Sequence, residues 1–236
     1  AEEAKRAYGR TIPHSVNQKR LFTMRHPVGV CATVSPWNFP LLLQVRKMGP
    51  ALAVGCTTVS RPASQTPLCM IRLFELIEQL DLPPGVANLV IGTPGEMMDE
   101  FMNNRFCRKI SFTGSTEIGK ELVRQSAGQL KKLSLELGGH APVIVFPDVD
   151  IEEVAKASVI GKFRNNGQVC ICPTRFYAHQ NIQNDYLEAC VEETKKLKLG
   201  NGLEDGVNIG PMFEAKALEK TDELVSDAKA KGANCV

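Results

Sequence analysis

The sequence predicts an α/β protein: a doubly wound parallel sheet followed by part of a second α/β unit. Three observations predict it. Apolar strand-like runs alternate with helical runs from residue 28 onward, and strands separated by helices make parallel sheets. Met70, Leu73, Phe74, Ile77 and Leu80 recur at helical spacing, so one of the intervening segments has a clear inner face. Gly138 and Gly139 interrupt the alternation, after which a second series starts.

In chain order, residues 1–13 read as the end of a helix stopped by Gly9 and Pro13, and Ser15–Arg25 as a charged strand-like stretch, so residues 1–25 form a helix end and an arm. Val28–Val34 reads as a buried strand and Ser35–Pro40 as a turn. A helix follows near Leu43–Ala53, then a strand at Thr57–Ser60 and a helix from Pro67 with Thr66 as its cap. The turn Pro83–Gly85 precedes a strand at Val86–Ile91, a helix at Glu96–Asn103 and a strand at Lys109–Phe112. A Gly-rich turn, a helix to Ala127 and a strand at Leu133–Leu137 complete residues 26–137 as one domain. Residues 138–236 form the second: a strand at Ala141–Phe146, a helix at Ile151–Phe163, the turn bearing Cys170, a strand at Arg175–His179, and helices at Gln183–Leu197 and Glu214–Lys231.

The formal charge of +2 and 6% aromatic content point to no nucleic-acid partner. No apolar run approaches the length of a membrane span, and the opening residues are charged rather than signal-like, so the expected compartment is the cytoplasm and no membrane partner is expected. Eight scattered cysteines are expected to be reduced and mostly buried. No metal is expected, because the four histidines lack ligand spacing and Cys170 with Cys172 has no second pair.

Cys170 follows Arg164, Asn165, Asn166, Gly167 and Gln168, whose charge and amide donors favour a thiolate nucleophile; the alternative is a small buried hydrophobe. Gly114–Lys120 nearly matches a phosphate-binding loop, but Glu121 stands where a magnesium-binding hydroxyl belongs, so it reads either as a phosphate-facing loop or as an ordinary strand-to-helix turn. Glu136 ends an apolar strand: buried, it suits a general base; turned to solvent, it is only a strand end. Asn38 either donates to a developing oxyanion or serves its turn. Cys172 is either a reversible disulfide partner of Cys170 or a packed neighbour.

Four stretches in this order, Trp37–Pro40, Phe112–Gly119, Leu135–Gly139 and Asn166–Cys170, resemble the aldehyde dehydrogenase superfamily along nearly the whole chain. Pro62–Pro67 and Lys162–Asn165 look most like its succinate-semialdehyde branch. The resemblance implies a Rossmann-like cofactor domain and the first half of a catalytic domain, in a fragment of a longer protein whose full-length relatives are homo-oligomers. It implies Cys170 as the nucleophile on an aldehyde, Asn38 and the Cys170 backbone N–H as oxyanion donors, hydride passage to a nicotinamide, Glu136 as the base for thioester hydrolysis, and Lys47 as a supporting lysine. Arg46 and Arg164 match positions that receive the distal carboxylate of an aldehyde with an anionic tail. Cofactor contacts are implied for Trp37, Arg61, Ser64, Gly114, Ser115 and Leu137. The family's NAD-selecting glutamate is replaced by Ser64, and Arg61 adds a guanidinium, so the expected cofactor is NADP, with NAD the alternative. Competing expectations are a different semialdehyde or aliphatic aldehyde, or an inactive relative that only binds nucleotide or a partner.

Overall fold

The computed structural model describes residues 2–236, and its chain divides into two compact units, one running to Leu137 and one spanning Gly138–Val236. Of the helix read over residues 1–13, Ala1 lies outside the described residues. The remainder departs from that reading. A single 3-10 turn, Glu2–Arg6, gives way to strand β1 (Arg10–Ile12), which pairs antiparallel with β2 (Leu21–Thr23). Thr11 and Ile12 are β-branched and favour extended backbone. Gly9 permits the approach of the two arms, since a Cβ there would lie 1.9 Å from the Thr23 carbonyl oxygen. The Ser15–Arg25 strand contracts to the three residues of β2.

The rest of the first unit is a five-stranded sheet built from β3 (Val30–Val34), β4 (Thr57–Arg61), β5 (Ala87–Leu89), β6 (Cys107–Thr113) and β7 (Lys132–Glu136). Its order is β5-β4-β3-β6-β7 with every pair parallel. The crossovers are α1 (Pro40–Ala53), α2 (Leu68–Ile77), α3 (Pro94–Asn103) and α4 (Thr116–Ser126). The central strands read as continuous apolar runs because both faces are covered, and Ala32 and Ile110 are fully buried beside Phe101, Met102 and Leu122. On a separate core, Met70 and Phe74 of α2 pack with Met48 of α1.

Three local expectations change. Helix α2 begins at Leu68, and the Thr66 hydroxyl donates to the Trp37 carbonyl at 3.4 Å instead of capping it. Leu80 lies beyond the end of α2 and is exposed, so the inner face stops at Ile77. The strand read over Val86–Ile91 narrows to Ala87–Leu89 at the sheet edge.

In the second unit β8 (Ala141–Val145) pairs parallel with β9 (Pro173–Ala178), connected through α5 (Ile151–Phe163). Asp150 caps α5 by accepting from the Glu153 N–H at 3.1 Å, with acidic residues in the first turn and Lys162 in the last, as the helix dipole favours. Helix α6 (Gln183–Lys195) lies on α5, where the buried Tyr186 hydroxyl meets Ser158 Oγ at 2.8 Å. Helix α7 (Ala215–Ala230) has no buried residue. No helix among the described residues is long and apolar enough to cross a membrane.

Candidate active site

In the first unit the chain winds outward from β3 to β4 and β5, then returns to place β6 and β7 on the other side. Ligands of open parallel sheets settle at such a reversal, outside the carboxyl ends of the strands. The sequence-predicted residues of this unit gather at that edge.

The turn after β3 carries Trp37 and Asn38, both half-buried. Asn38 Oδ1 accepts from the Phe39 N–H at 3.1 Å, which orients its amide, and Pro40 starts α1 at a position where its missing N–H costs nothing. One buried stripe of α1 holds Leu43, Gln44, Lys47 and Met48, while Arg46, about 100° away around the helix, is exposed. Gln44 is fully buried and donates to the Thr33 carbonyl at 2.9 Å and to Thr33 Oγ1 at 2.6 Å, closing the base of the turn. Lys47 is 7% exposed, and its ammonium donates to Thr113 Oγ1. Burial lowers its pKa below the ordinary lysine range; the Glu136 carboxylate opposes that shift, and Arg46 adds to it.

Thr113 is the Cα partner of Glu136 across β6 and β7, and the Gly114 N–H donates to the Glu136 carbonyl at 3.1 Å. The ladder thus brings Lys47, Thr113 and Glu136 to one place. Of the two readings of Glu136, its side chain takes the solvent-facing one: β7 alternates, turning Leu133 and Leu135 inward and leaving Glu136 exposed at its end.

Glycine at 114 leaves room for the Phe112 ring, from which a Cβ would stand 2.4 Å. Ser115 caps α4, its Oγ accepting from the Ile118 N–H at 3.3 Å. That is the ordinary strand-to-helix role, with the hydroxyl already engaged. Leu137 fills the space against Gly119, where a Cβ would lie 2.6 Å from its Cδ2, so its visible contact is helix packing.

At the end of β4 the Arg61 guanidinium donates to Ser64 Oγ at 2.9 Å, and partial burial lowers the Arg61 pKa. Arg61 also borders a cavity of about 350 Å³ between α3 and α4, walled by Val34, Pro94, Met97, Ile118 and Leu122. Apolar walls with a polar pair at the mouth can hold a planar base and the ribose or phosphate attached to it. Glu121 on the same rim is paired with Arg124 at 3.1 Å, which offsets its charge.

In the second unit α5 ends at Phe163, and Arg164 leaves the helical path with its side chain exposed. Asn165, Asn166 and Gly167 then follow one another in the left-handed region, at φ of 51°, 56° and 72°. Such backbone is unfavourable for two successive non-glycine residues, and Asn tolerates it best. The amides expected to serve as donors near Cys170 instead brace this turn. Gln168 N donates to the Asn165 carbonyl at 3.0 Å, Gln168 Nε2 to the same carbonyl at 3.2 Å, and Asn166 Nδ2 to Gly210 O at 2.7 Å. Gln168 Oε1 accepts from the Phe213 N–H at 3.3 Å. Cys170 emerges half-buried and reduced.

Cys172 is buried against the end of α5, its Sγ 3.5 Å from the Lys162 carbonyl and 3.7 Å from Lys162 Nζ. It is packed and free in this structure. All eight cysteines are free, four of them buried, and no group of three or more His, Cys, Asp or Glu among the described residues could hold a metal.

Sequence reasoning missed Gln44, Thr113 and the cavity between α3 and α4. Gln44 had a usable signal: it lies three residues before Lys47 on an otherwise apolar stripe, and polar groups on a buried stripe require partners.

The model of the aldehyde dehydrogenase family matches residues 1–236. The chain is 48% identical to a glutarate-semialdehyde dehydrogenase of Pseudomonas putida over 99% of this chain and 48% of that protein. It is 47% identical to an NADP-type succinate-semialdehyde dehydrogenase of Escherichia coli over 100% of this chain and 49% of that protein. A crystal structure of succinate-semialdehyde dehydrogenase from Burkholderia pseudomallei superimposes with a TM-score of 0.96 at 42% identity, covering 100% of this chain and 49% of that one. The chain spans about half the length of the relatives it matches, and with a family match from end to end it belongs to the aldehyde dehydrogenase family.

Proposed function

We propose that the protein carries out NADP-dependent oxidation of a small aldehyde with an anionic tail to the carboxylic acid, with succinate semialdehyde as substrate. The observation that carries this reading is the convergence of Asn38, Lys47, Thr113 and Glu136 on the carboxyl edge of one parallel sheet.

Cys170, as thiolate, forms a bond to the aldehyde carbon, and the carbonyl electron pair moves onto oxygen. The Asn38 amide and the Cys170 backbone N–H donate to that oxyanion. A nicotinamide held at this edge would accept hydride from the carbon; as the oxyanion's electron pair re-forms the carbonyl, the carbon is left as a thioester on Cys170. Glu136 takes a proton from water as the water oxygen attacks the thioester, and the carbon–sulfur bond breaks to release the acid and free Cys170. An exposed carboxylate exchanges that proton readily with solvent. Lys47, buried and opposite Glu136, holds positive potential beside the base. Arg46 and Arg164 receive the tail carboxylate. Trp37, Gly114, Ser115 and Leu137 belong to the nicotinamide half of the cofactor site, and Arg61 with Ser64 to the adenosine half. The absence of a carboxylate at position 64 and the Arg61 guanidinium favour a 2′-phosphate.

A second reading keeps the chemistry and lengthens the substrate by one methylene. It is motivated by the glutarate-semialdehyde relative, and pockets discriminate a methylene only weakly. A single-turnover experiment tests the proposal: the purified protein is mixed with succinate semialdehyde or its five-carbon homologue and with NADP or NAD, and reduced nucleotide is followed by absorbance. A Cys170-dependent burst, larger with NADP, is expected. A burst that survives Cys170→Ala, or no burst with either nucleotide, would sink it.

A further inference from the structure

The opposite, amino-terminal edge of the same sheet carries a second charged site that the proposed chemistry does not use. Arg105, Arg108, Lys131 and Lys132 line a cavity of about 170 Å³, joined there by Gln129 and by no carboxylate. Lys131 is 9% exposed, yet among the described residues its ammonium meets only the Asn104 and Cys107 carbonyls, each at 2.7 Å. A buried ammonium is costly unless its charge is compensated, and two carbonyl dipoles compensate it only in part.

The backbone sharpens the case. Leu130 holds a left-handed φ of 52° with its side chain 88% exposed, an arrangement that turns Lys131 inward at the expense of a hydrophobic residue in solvent. Lys109 and Lys132 are direct Cα partners in the β6–β7 ladder, where like charges oppose pairing. The Lys109 ammonium is engaged by Ser134 Oγ, and Arg105 lies over the Phe106 ring at 4.7 Å. The nearby Glu100 is taken up by Asn104, its Oε1 accepting at 2.6 Å. The ion pairs among the described residues are all i,i+3 or i,i+4 pairs elsewhere, and none includes these five cations. Four cations line one small basin at this strand edge, and no carboxylate lines it with them.

We propose that this basin binds a small dianion of the phosphate class, as inorganic phosphate or as the phosphate group of a small metabolite. The volume admits a tetrahedral oxyanion and one or two waters, at roughly 30 Å³ of liquid volume per water, and is too small for a nucleotide. The guanidinium of Arg108 and the Lys131 ammonium supply charge-assisted donors, and Lys132 adds a third cation. Because β6 rises about 3.3 Å per residue, the basin stands some six residues of strand away from Thr113 and Gly114.

The test titrates the purified protein with inorganic phosphate at ionic strength held constant with chloride, following 31P line width and the melting midpoint. Glycerol 3-phosphate and succinate are run in parallel. Saturable broadening is expected, with a midpoint that rises with the logarithm of phosphate concentration. Affinity should fall about tenfold in Arg108→Ala and again in Lys132→Ala, both exposed positions. Lys131→Met should abolish binding, and the two exposed variants keep the test decisive should that one not fold. Equal binding of glycerol 3-phosphate assigns the site to a metabolite's phosphate group, and preference for inorganic phosphate assigns it to the free ion. No broadening, a response equalled by chloride or by succinate, or binding unchanged in both exposed variants overturns the proposal.

Discussion

The parallel sheet of the first unit and the Cys170 turn of the second are built on opposite terms. In the sheet, local preference and tertiary structure agree: β-branched and apolar residues form strands, prolines open α1 and α3, and the fully buried Ala32 and Ile110 sit where a doubly covered sheet wants them. In the turn they conflict. Two asparagines and a glycine hold left-handed backbone, and the cost is offset by side-chain hydrogen bonds reaching to Gly210 and Phe213. Strain of this kind persists where the surroundings over-determine it, and it concentrates at reactive groups. The comparison teaches that the sheet is held by agreement between local and tertiary preference, whereas the turn is held against local preference by bonds from elsewhere in its unit, as the proposed role of Cys170 requires.

The comparison can be broken or sharpened by measurement. The largest effect is expected at Cys170: Cys170→Ala should eliminate turnover, while the buried Cys31→Ala should leave it near normal in a steady-state assay. Turnover that survives Cys170→Ala would mean that the turn holds no special chemistry. Next, Glu136→Gln should slow steady-state turnover by about 10²-fold while preserving the burst, because only thioester hydrolysis needs the base. Equal loss of the burst would place Glu136 in the first half of the reaction instead.

Stability effects come third. Asn166→Ala removes both the bond to Gly210 and the residue type best suited to its φ, and should cost about 2 kcal/mol in urea denaturation. Asn166→Gly, which keeps the backbone freedom, should cost about half as much. If both cost the same, the side-chain bond alone holds the turn. In the sheet, Gly114→Ala should cost roughly 1–3 kcal/mol by forcing the Phe112 ring aside.

The smallest effects are in pH dependence. Burial, reinforced by Cys56, pushes the Cys31 thiol from its ordinary 9.0 up to about 12. Above pH 9 the unfolded chain therefore sheds a proton that the folded chain keeps. Stability fully present below pH 9 is lost between there and about 12. Cys31→Ala should flatten that decline in denaturant titrations. Lys47 works in the opposite sense: its folded pKa lies below 10.5, so between the two values the unfolded chain holds more protons and stability rises with pH. Removing the Glu136 charge should lower the Lys47 pKa further, which NMR titration of the ammonium would detect.

Much of the sheet was legible because alternation and helix periodicity are local signals. Ile151–Phe163 was read to its ends, since Asp150 and the charge pattern mark it. The arm was misread because residues 1–13 carry helix-forming charges at their start, while the pairing of Arg10–Ile12 with Leu21–Thr23 is non-local. Thr66 looked like a cap from spacing alone, but its hydroxyl found the Trp37 carbonyl, 29 residues away in sequence. Cys170 and Asn38 stood out from their neighbouring residues, and Lys47 was named by motif resemblance alone. The bracing of the Asn165–Gln168 turn and the cavity beside Arg61 were not legible, because both depend on partners that only the folded backbone brings near.

Gln44 has a further consequence. By tying α1 back to Thr33, which itself meets Ser60 Oγ at 3.0 Å, it makes the Ser35–Phe39 segment a closed loop clamped at its root to two strands. The disorder such a loop would otherwise lose on capturing a ligand, about 1–2 kcal/mol per residue at 25 °C, is surrendered once, when the chain folds. Under the proposed function, Trp37 and Asn38 would meet a ligand on a loop already ordered, and discrimination at this edge would operate through shape and donor geometry rather than through loop closure.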